Sequence, residues 1–305
     1  MAQNGAAQRR SAQHELLSVR PKEWLVDQLV QAAELDPALK TRLEASVAPR
    51  PPDHGKVARL RTDLVTAIEV EETVDRRHRR QYLDGIRPVL AELERFARRH
   101  PEPAIEVAEY ALGLMEDAYG RVDDPDGGLA ELATWAHEIH LAASRAARPE
   151  PAEFGARLAR IALDLRAISF LNLPDAYDKV LGDVGRRAFA KVIDDRWRRL
   201  PALTPGTNGA GTEAPGGQRQ QVTALKLRLA GKAGPDAVVE VLTRDLSRPS
   251  SYRQAALVLA DAGRLEDALE WTERGLAAFD HEPHSGLWEQ RAELLRRLGR
   301  AAPGR

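Results

Sequence analysis

The sequence contains no cysteine. That absence removes disulfides, a thiol nucleophile and every thiolate zinc site at once. No stretch approaches the roughly 18 consecutive apolar residues that a membrane-crossing helix requires. Residues Met1 to His14 are polar and enclose no apolar core, so they do not read as a signal peptide. The expectation is a disordered leader over 1–14 and a cytoplasmic protein with no membrane contact. Neither sign of charge is in excess. The 45 basic residues face 46 acidic ones, whereas a general nucleic-acid binder usually carries a basic surplus. Aromatics make up only 5%, and the β-branched and aromatic clusters that favour strands are scarce. A core with so few large side chains has to be assembled from alanine and leucine between closely approaching helices.

What the sequence does have is helical period, nearly everywhere. Pro21-Lys-Glu-Trp24-Leu25 through Leu35, then Asp36-Pro37 through Val47, read as a helix pair, with Asp36 capping the second helix. Pro49, Pro51 and Pro52 break the chain after it. Val57, Leu60, Leu64 and Ile68 mark the next apolar face, and Tyr82, Ile86, Leu90, Leu93 and Ala97 the one after. Pro88 lies inside that second pattern and predicts a kink or a restart. Ile105, Ala108, Leu112 and Met115 form a further stripe. It is closed by the turn at Asp123-Asp-Pro-Asp-Gly-Gly128 and followed by Leu129, Leu132, Ala136, Ile139 and Ala143. Helices are expected over 151–167 and 184–199, with a shorter one near 174–181. Each face is too apolar to stand alone in water, so the helices must stack.

Residues 201–217, PALTPGTNGAGTEAPGG, have the composition of a flexible linker. They divide an expected helical domain, 15–200, from a repeat region, 218–300. In that region Tyr252, Ala256, Leu259, Gly263 and Arg264 recur 36 positions later as Trp288, Ala292, Leu295, Gly299 and Arg300. A bulky residue, a small one and a turn glycine at fixed spacing are what a helix-turn-helix repeat needs. The pattern is similar to that of tetratricopeptide repeats, whose period is about 34. Ala268, Leu269, Gly275 and Leu276 supply the second helix of the first unit, and residues 218–246 read as a degenerate preceding unit. The expected fold class is therefore all-α: a helical repeat array, or α-α superhelix, with tetratricopeptide-like helix pairs at the C-terminal end.

Several phrases carry a family resemblance. Tyr82-Leu-Asp-Gly-Ile-Arg-Pro-Val-Leu-Ala-Glu-Leu, Val107-Ala-Glu-Tyr-Ala-Leu and Gly120-Arg-Val-Asp-Asp-Pro-Asp-Gly are three of them. His140-Leu-Ala-Ala, Arg244-Asp-Leu-Ser and Ala262-Gly-Arg-Leu-Glu-Asp-Ala-Leu-Glu-Trp-Thr-Glu-Arg-Gly-Leu276 are the others. Together they resemble the helical region of bacterial SWIM zinc-finger proteins, over roughly residues 15 to 300. The finger itself is a Cys-x-Cys…Cys-x-His site and cannot be built without cysteine, so the resemblance implies an accessory helical region and no zinc contact.

Candidate chemistry is sparse. His137-Glu138-Ile139-His140 is close to a metalloprotease helix, but its histidines are three apart where four are needed. A packing histidine hydrogen-bonded at the stripe edge explains His140 more simply. Asp123, Asp124 and Asp126 fail the calcium-loop register, because Val122 and Ala133 fall at its first and twelfth positions. A negatively charged turn before a helix N-terminus suffices for them. Gly206-Thr-Asn-Gly209-Ala-Gly211 follows no strand, and Gly231-Lys232 lacks the rest of a phosphate loop. Arg76, Arg77, Arg79 and Arg80 form the densest basic run, and Arg196, Arg198 and Arg199 flank Trp197. Both are conceivable phosphate contacts, although a solvated helix end offset by Glu69, Glu71, Glu72 and Asp75 accounts for the first. The five tryptophans read as packing anchors. No catalytic residue, metal or cofactor is expected.

The functional expectation is a non-enzymatic scaffold that binds a protein or peptide in a groove lined by first helices. Repeat geometry puts Arg253, Leu257, Glu289, Glu293 and Arg296 there. The alternative is a nucleic-acid-associated accessory module using the Arg76–Arg80 run.

Overall fold

A computed structural model describes residues 17–18, 20–47, 54–165, 173–206, 217–279 and 286–300. The expected leader at 1–14, most of the linker and the prolines at 49, 51 and 52 lie outside the described residues. The architecture is all-α. Thirteen α-helices and one short 3₁₀ turn make up the described residues, which contain no strand, only two isolated bridges. The chain divides into two compact units, Met1–Pro52 and Asp53–Arg305.

The first unit is a helix pair, α1 (Lys22–Leu35) and α2 (Pro37–Val47). Asp36 Oδ1 accepts hydrogen bonds from the backbone N–H groups of Ala38 and Leu39 at 2.9 and 3.2 Å, so it caps α2 as its position before Pro37 requires. No residue of α1 is buried. Trp24, Val26, Leu29 and Val30 are all exposed, with the Arg20 guanidinium over the Trp24 ring.

The second unit begins with α3 (His54–Ile68), α4 (Arg79–Arg99), α5 (Pro101–Tyr119) and α6 (Gly128–Ala147). These four pack on one another through one apolar cluster that includes Leu64, Ile86, Leu90, Ala108 and Ala136, none of them accessible to solvent. Buried alanines, among them Ala104, Ala111, Ala133 and Ala143, supply much of this cluster. The Tyr82 hydroxyl donates to the Ile68 carbonyl at 2.7 Å and ties α4 to the end of α3. Helix α4 runs through Pro88 without a restart. The residue before the helix, His78, faces Asp75, which accepts from the N–H groups of Arg77 and His78.

Next come α7 (Pro151–Asp164), the 3₁₀ turn Asp175–Tyr177 and α8 (Asp178–Arg199). Glu150 caps α7 by accepting from the N–H groups of Ala152 and Glu153. Gly182 leaves helical geometry at φ 53°, breaking α8 close to where the sequence separates 174–181 from 184–199. Helices α7 and α8 cross at Gly155 and Gly185.

The repeat region holds α9 (Gln218–Gly231), α10 (Pro235–Leu242), α11 (Pro249–Asp261), α12 (Leu265–Ala278) and α13 (Leu287–Arg297), each packed on the next. Both sides of residues 201–217 belong to this unit. Gln221 of α9 donates to the carbonyls of Ala162 and Leu165 at 2.7 and 3.1 Å, satisfying free acceptors at the end of α7. Arg244 donates to the Leu200 carbonyl and lies over the Trp197 ring at 5.1 Å. Leu203, inside the linker composition, exchanges backbone hydrogen bonds with Arg244 and Leu246.

Candidate functional site

The 36-residue offset reappears as geometry. Gly263 and Gly299 both take the left-handed conformation, at φ 79° and 69°. Beyond them the N–H groups of Arg264 and Arg300 donate back to the carbonyls of Leu259 and Leu295, each at 2.9 Å. This is the helix-ending motif for which glycine is the favoured residue. The two arginine side chains also act alike. Arg264 pairs with Asp236 and Arg300 with Glu266, each acid being the second residue of the preceding unit's second helix.

The five predicted partner-binding residues all lie on exposed surface of α11 and α13. Gln290 donates to the Arg253 carbonyl at 3.1 Å and Arg297 to the Ala260 carbonyl at 3.2 Å, which joins the two helices. Arg253 runs beside Gly286 at the start of α13, and Leu257 is 43% exposed one turn further along α11. Glu289, Glu293 and Arg296 follow at spacings of four and three on α13, and Glu293 and Arg296 are bonded to each other at 2.6 and 2.9 Å. Among the described residues Glu289 has no ion-pair partner.

Sequence reasoning missed the stripe next to these residues. Tyr252 and Ala256 are covered by α12, with Tyr252 only 4% exposed, whereas their repeat equivalents Trp288 and Ala292 are exposed, Trp288 at 45%. The expectation that every tryptophan is a packing anchor is therefore corrected. Trp197 is buried and Trp135 and Trp271 are half-buried, but Trp24 and Trp288 are exposed. The periodic pattern marks a stripe that suits burial, but not whether a neighbour covers it.

The four arginines of the basic run differ in their surroundings. Arg76, Arg77 and Arg80 are exposed. Arg79 instead pairs with Asp126 at 2.5 Å and approaches Asp124 at 3.8 Å, which commits it to holding the acidic turn. Asp124 in turn accepts from the Leu129 N–H at 2.7 Å, in the first turn of α6. The negatively charged turn of the sequence reading is thus explained by a cap and an ion pair.

His140 is the centre of a buried polar chain. Its Nδ1 meets the Tyr177 hydroxyl, and its Nε2 lies 3.2 Å from Glu109 Oε1. The other Glu109 oxygen accepts from the Arg157 guanidinium. Burial, with the Glu109 charge second, pushes the Tyr177 hydroxyl far up, so it stays protonated. An imidazole that accepts from the Tyr177 hydroxyl at Nδ1 and donates to Glu109 at Nε2 satisfies the chain. His137 stacks edge-on to Tyr177, and its Nε2 is buried without a partner. Desolvation, helped by His140, lowers its pKa to about 4. Glu138 points the other way, into solvent. Among the described residues no group of three or more His, Asp or Glu side chains is placed to hold a metal ion, and no helix is long and apolar enough to cross a membrane.

Compared with known proteins, the chain matches no family model, no curated protein and no solved structure.

Proposed function

We propose that this chain is a non-enzymatic helical-repeat scaffold that takes an amphipathic helix of a partner protein against α13. The observation that carries the reading is the contrast between Tyr252 and Trp288. The same repeat position is covered by α12 in one unit and faces solvent in the next. The helix that covers Tyr252 is therefore the template for the occupant. Helix α12 lays Ala268, Leu269, Thr272, Gly275 and Leu276 inward, and Gly275 sits where a methyl group would come within 2.8 Å of Tyr252 Cβ. A partner helix accordingly presents a glycine or alanine opposite Trp288, flanked by leucine. Glu289 favours a lysine or arginine at its edge, and Arg253, Leu257, Glu293 and Arg296 form the rim.

The test is titration of the full chain with a stapled peptide of residues 265–278, the staple offsetting the poor helicity of short peptides. Saturable binding that Trp288→Ala weakens about tenfold, or roughly 1.4 kcal/mol, supports the reading. Binding that is absent, or indifferent to Trp288→Ala, ends it.

The second reading is a nucleic-acid-associated module with the helical region of SWIM zinc-finger proteins as its relative. It is supported by the exposure of Arg76, Arg77 and Arg80. It requires salt-sensitive binding that disappears when these three are neutralised. A flat anisotropy titration with single- and double-stranded DNA at low salt dismisses it.

A further inference from the structure

Two cavities in the second unit differ in how their charges are matched. One, of about 560 Å³, is lined by Lys56, Arg59, Asp63 and Glu92, and its cations already have partners: Lys56 meets Glu92 at 2.7 Å and Arg59 meets Asp63 at 3.9 Å. The other, of about 420 Å³, lies between α7 and α8 and is lined by Arg160, Asp164, Asp195, Arg196 and Arg199 over an apolar floor of Leu163 and Val192. Asp195 is taken by Arg198, which stands outside the lining. Among the described residues Arg160, Arg196 and Arg199 make no ion pair or hydrogen bond through their side chains, and the Arg196 Nε is buried with no acceptor.

We infer that this cavity binds a small phosphomonoester carrying a hydroxyl group. Three arginines against the one free carboxylate of Asp164 leave two positive charges uncompensated, matching a phosphate dianion. The planar guanidinium fork is the side chain best shaped to hold its oxygens. Asp164, one turn from Arg160 on α7, repels a bare anion but accepts a hydrogen bond from a hydroxyl beside the phosphate. The volume is in the range of small-ligand pockets. Sequence adjacency draws attention to Arg196, Arg198 and Arg199 together. The fold removes Arg198 from the set and adds Arg160 from another helix.

The experiment is isothermal titration of the full chain with glycerol phosphate and with inorganic phosphate, at low ionic strength because screening weakens exposed charges. The expected result is one saturable site for glycerol phosphate, tighter than for inorganic phosphate. Binding weakens at least about tenfold in Arg196→Gln/Arg199→Gln and is unchanged in Arg76→Gln/Arg77→Gln. If the double variant does not fold by circular dichroism, Arg160→Gln, an exposed position, must show the loss instead. The assignment is overturned by no saturable binding of either probe, by binding that survives these substitutions, by equal loss in the Arg76/Arg77 variant, or by no preference for glycerol phosphate.

Discussion

Gly155 on α7 and Gly185 on α8 meet so closely that a methyl group on Gly155 would lie 2.1 Å from the Gly185 carbonyl oxygen. Backbone cannot yield that distance as a flexible side chain could, so the two helices would have to separate. Gly155→Ala is expected to lower stability by about 3 kcal/mol, near the upper end of the cost of overpacking a core. Urea denaturation should show a lower midpoint with an unchanged slope. At Gly113, where an added methyl group meets nothing within 4 Å, the same substitution should do no harm.

Tyr252 and Trp288 offer a matched pair. Tyr252 is covered on all sides, and its replacement by alanine is expected to cost about 3 kcal/mol through the cavity left between α11 and α12. Trp288→Ala should cost less than about 1 kcal/mol, because the exposed ring gives up little buried area. Thermal melts of the two variants measure the difference, and equal losses would mean that Trp288 is covered in solution.

Glu109 is the acceptor on which both Arg157 and His140 depend. Glu109→Ala leaves one buried imidazole N–H and one guanidinium without their carboxylate, and a loss of about 3 kcal/mol is expected. Glu109→Gln keeps the shape and one carbonyl acceptor, so its loss should be clearly smaller. Denaturant titrations of the two variants decide this.

His137 makes stability depend on pH. Its folded pKa of about 4 lies below the 6.5 of the unfolded chain, chiefly because burial disfavours the charged ring. Between those values the unfolded state binds the proton and the folded state does not. This contribution is therefore complete above pH 6.5, declines as pH falls toward 4, and amounts to about 3 kcal/mol. His137→Phe should flatten the profile of unfolding free energy over that interval, while acid-sensitive carboxylates continue to act below it.

Much of the architecture follows from local rules. Helical period, Asp36 before Pro37, Glu150 before α7, and glycine at 263 and 299 act through contacts only a few residues apart, so they can be read without knowing the fold. The 36-residue recurrence belongs with them, because identical local patterns fold into identical turns, down to the arginines that reach back to the preceding pair. Tertiary structure decided which apolar stripes are covered, since Tyr252 and Trp288 obey the same pattern and differ only in having a neighbour. It also decided which charges remain free. Arg79 is drawn into a turn 47 residues away, Arg160 joins Arg196 and Arg199 from a separate helix, and His140 gains Glu109, Tyr177 and Arg157 from three other elements. Helix formation is fixed by interactions within a few turns, whereas burial and charge pairing depend on residues that only chain packing brings together.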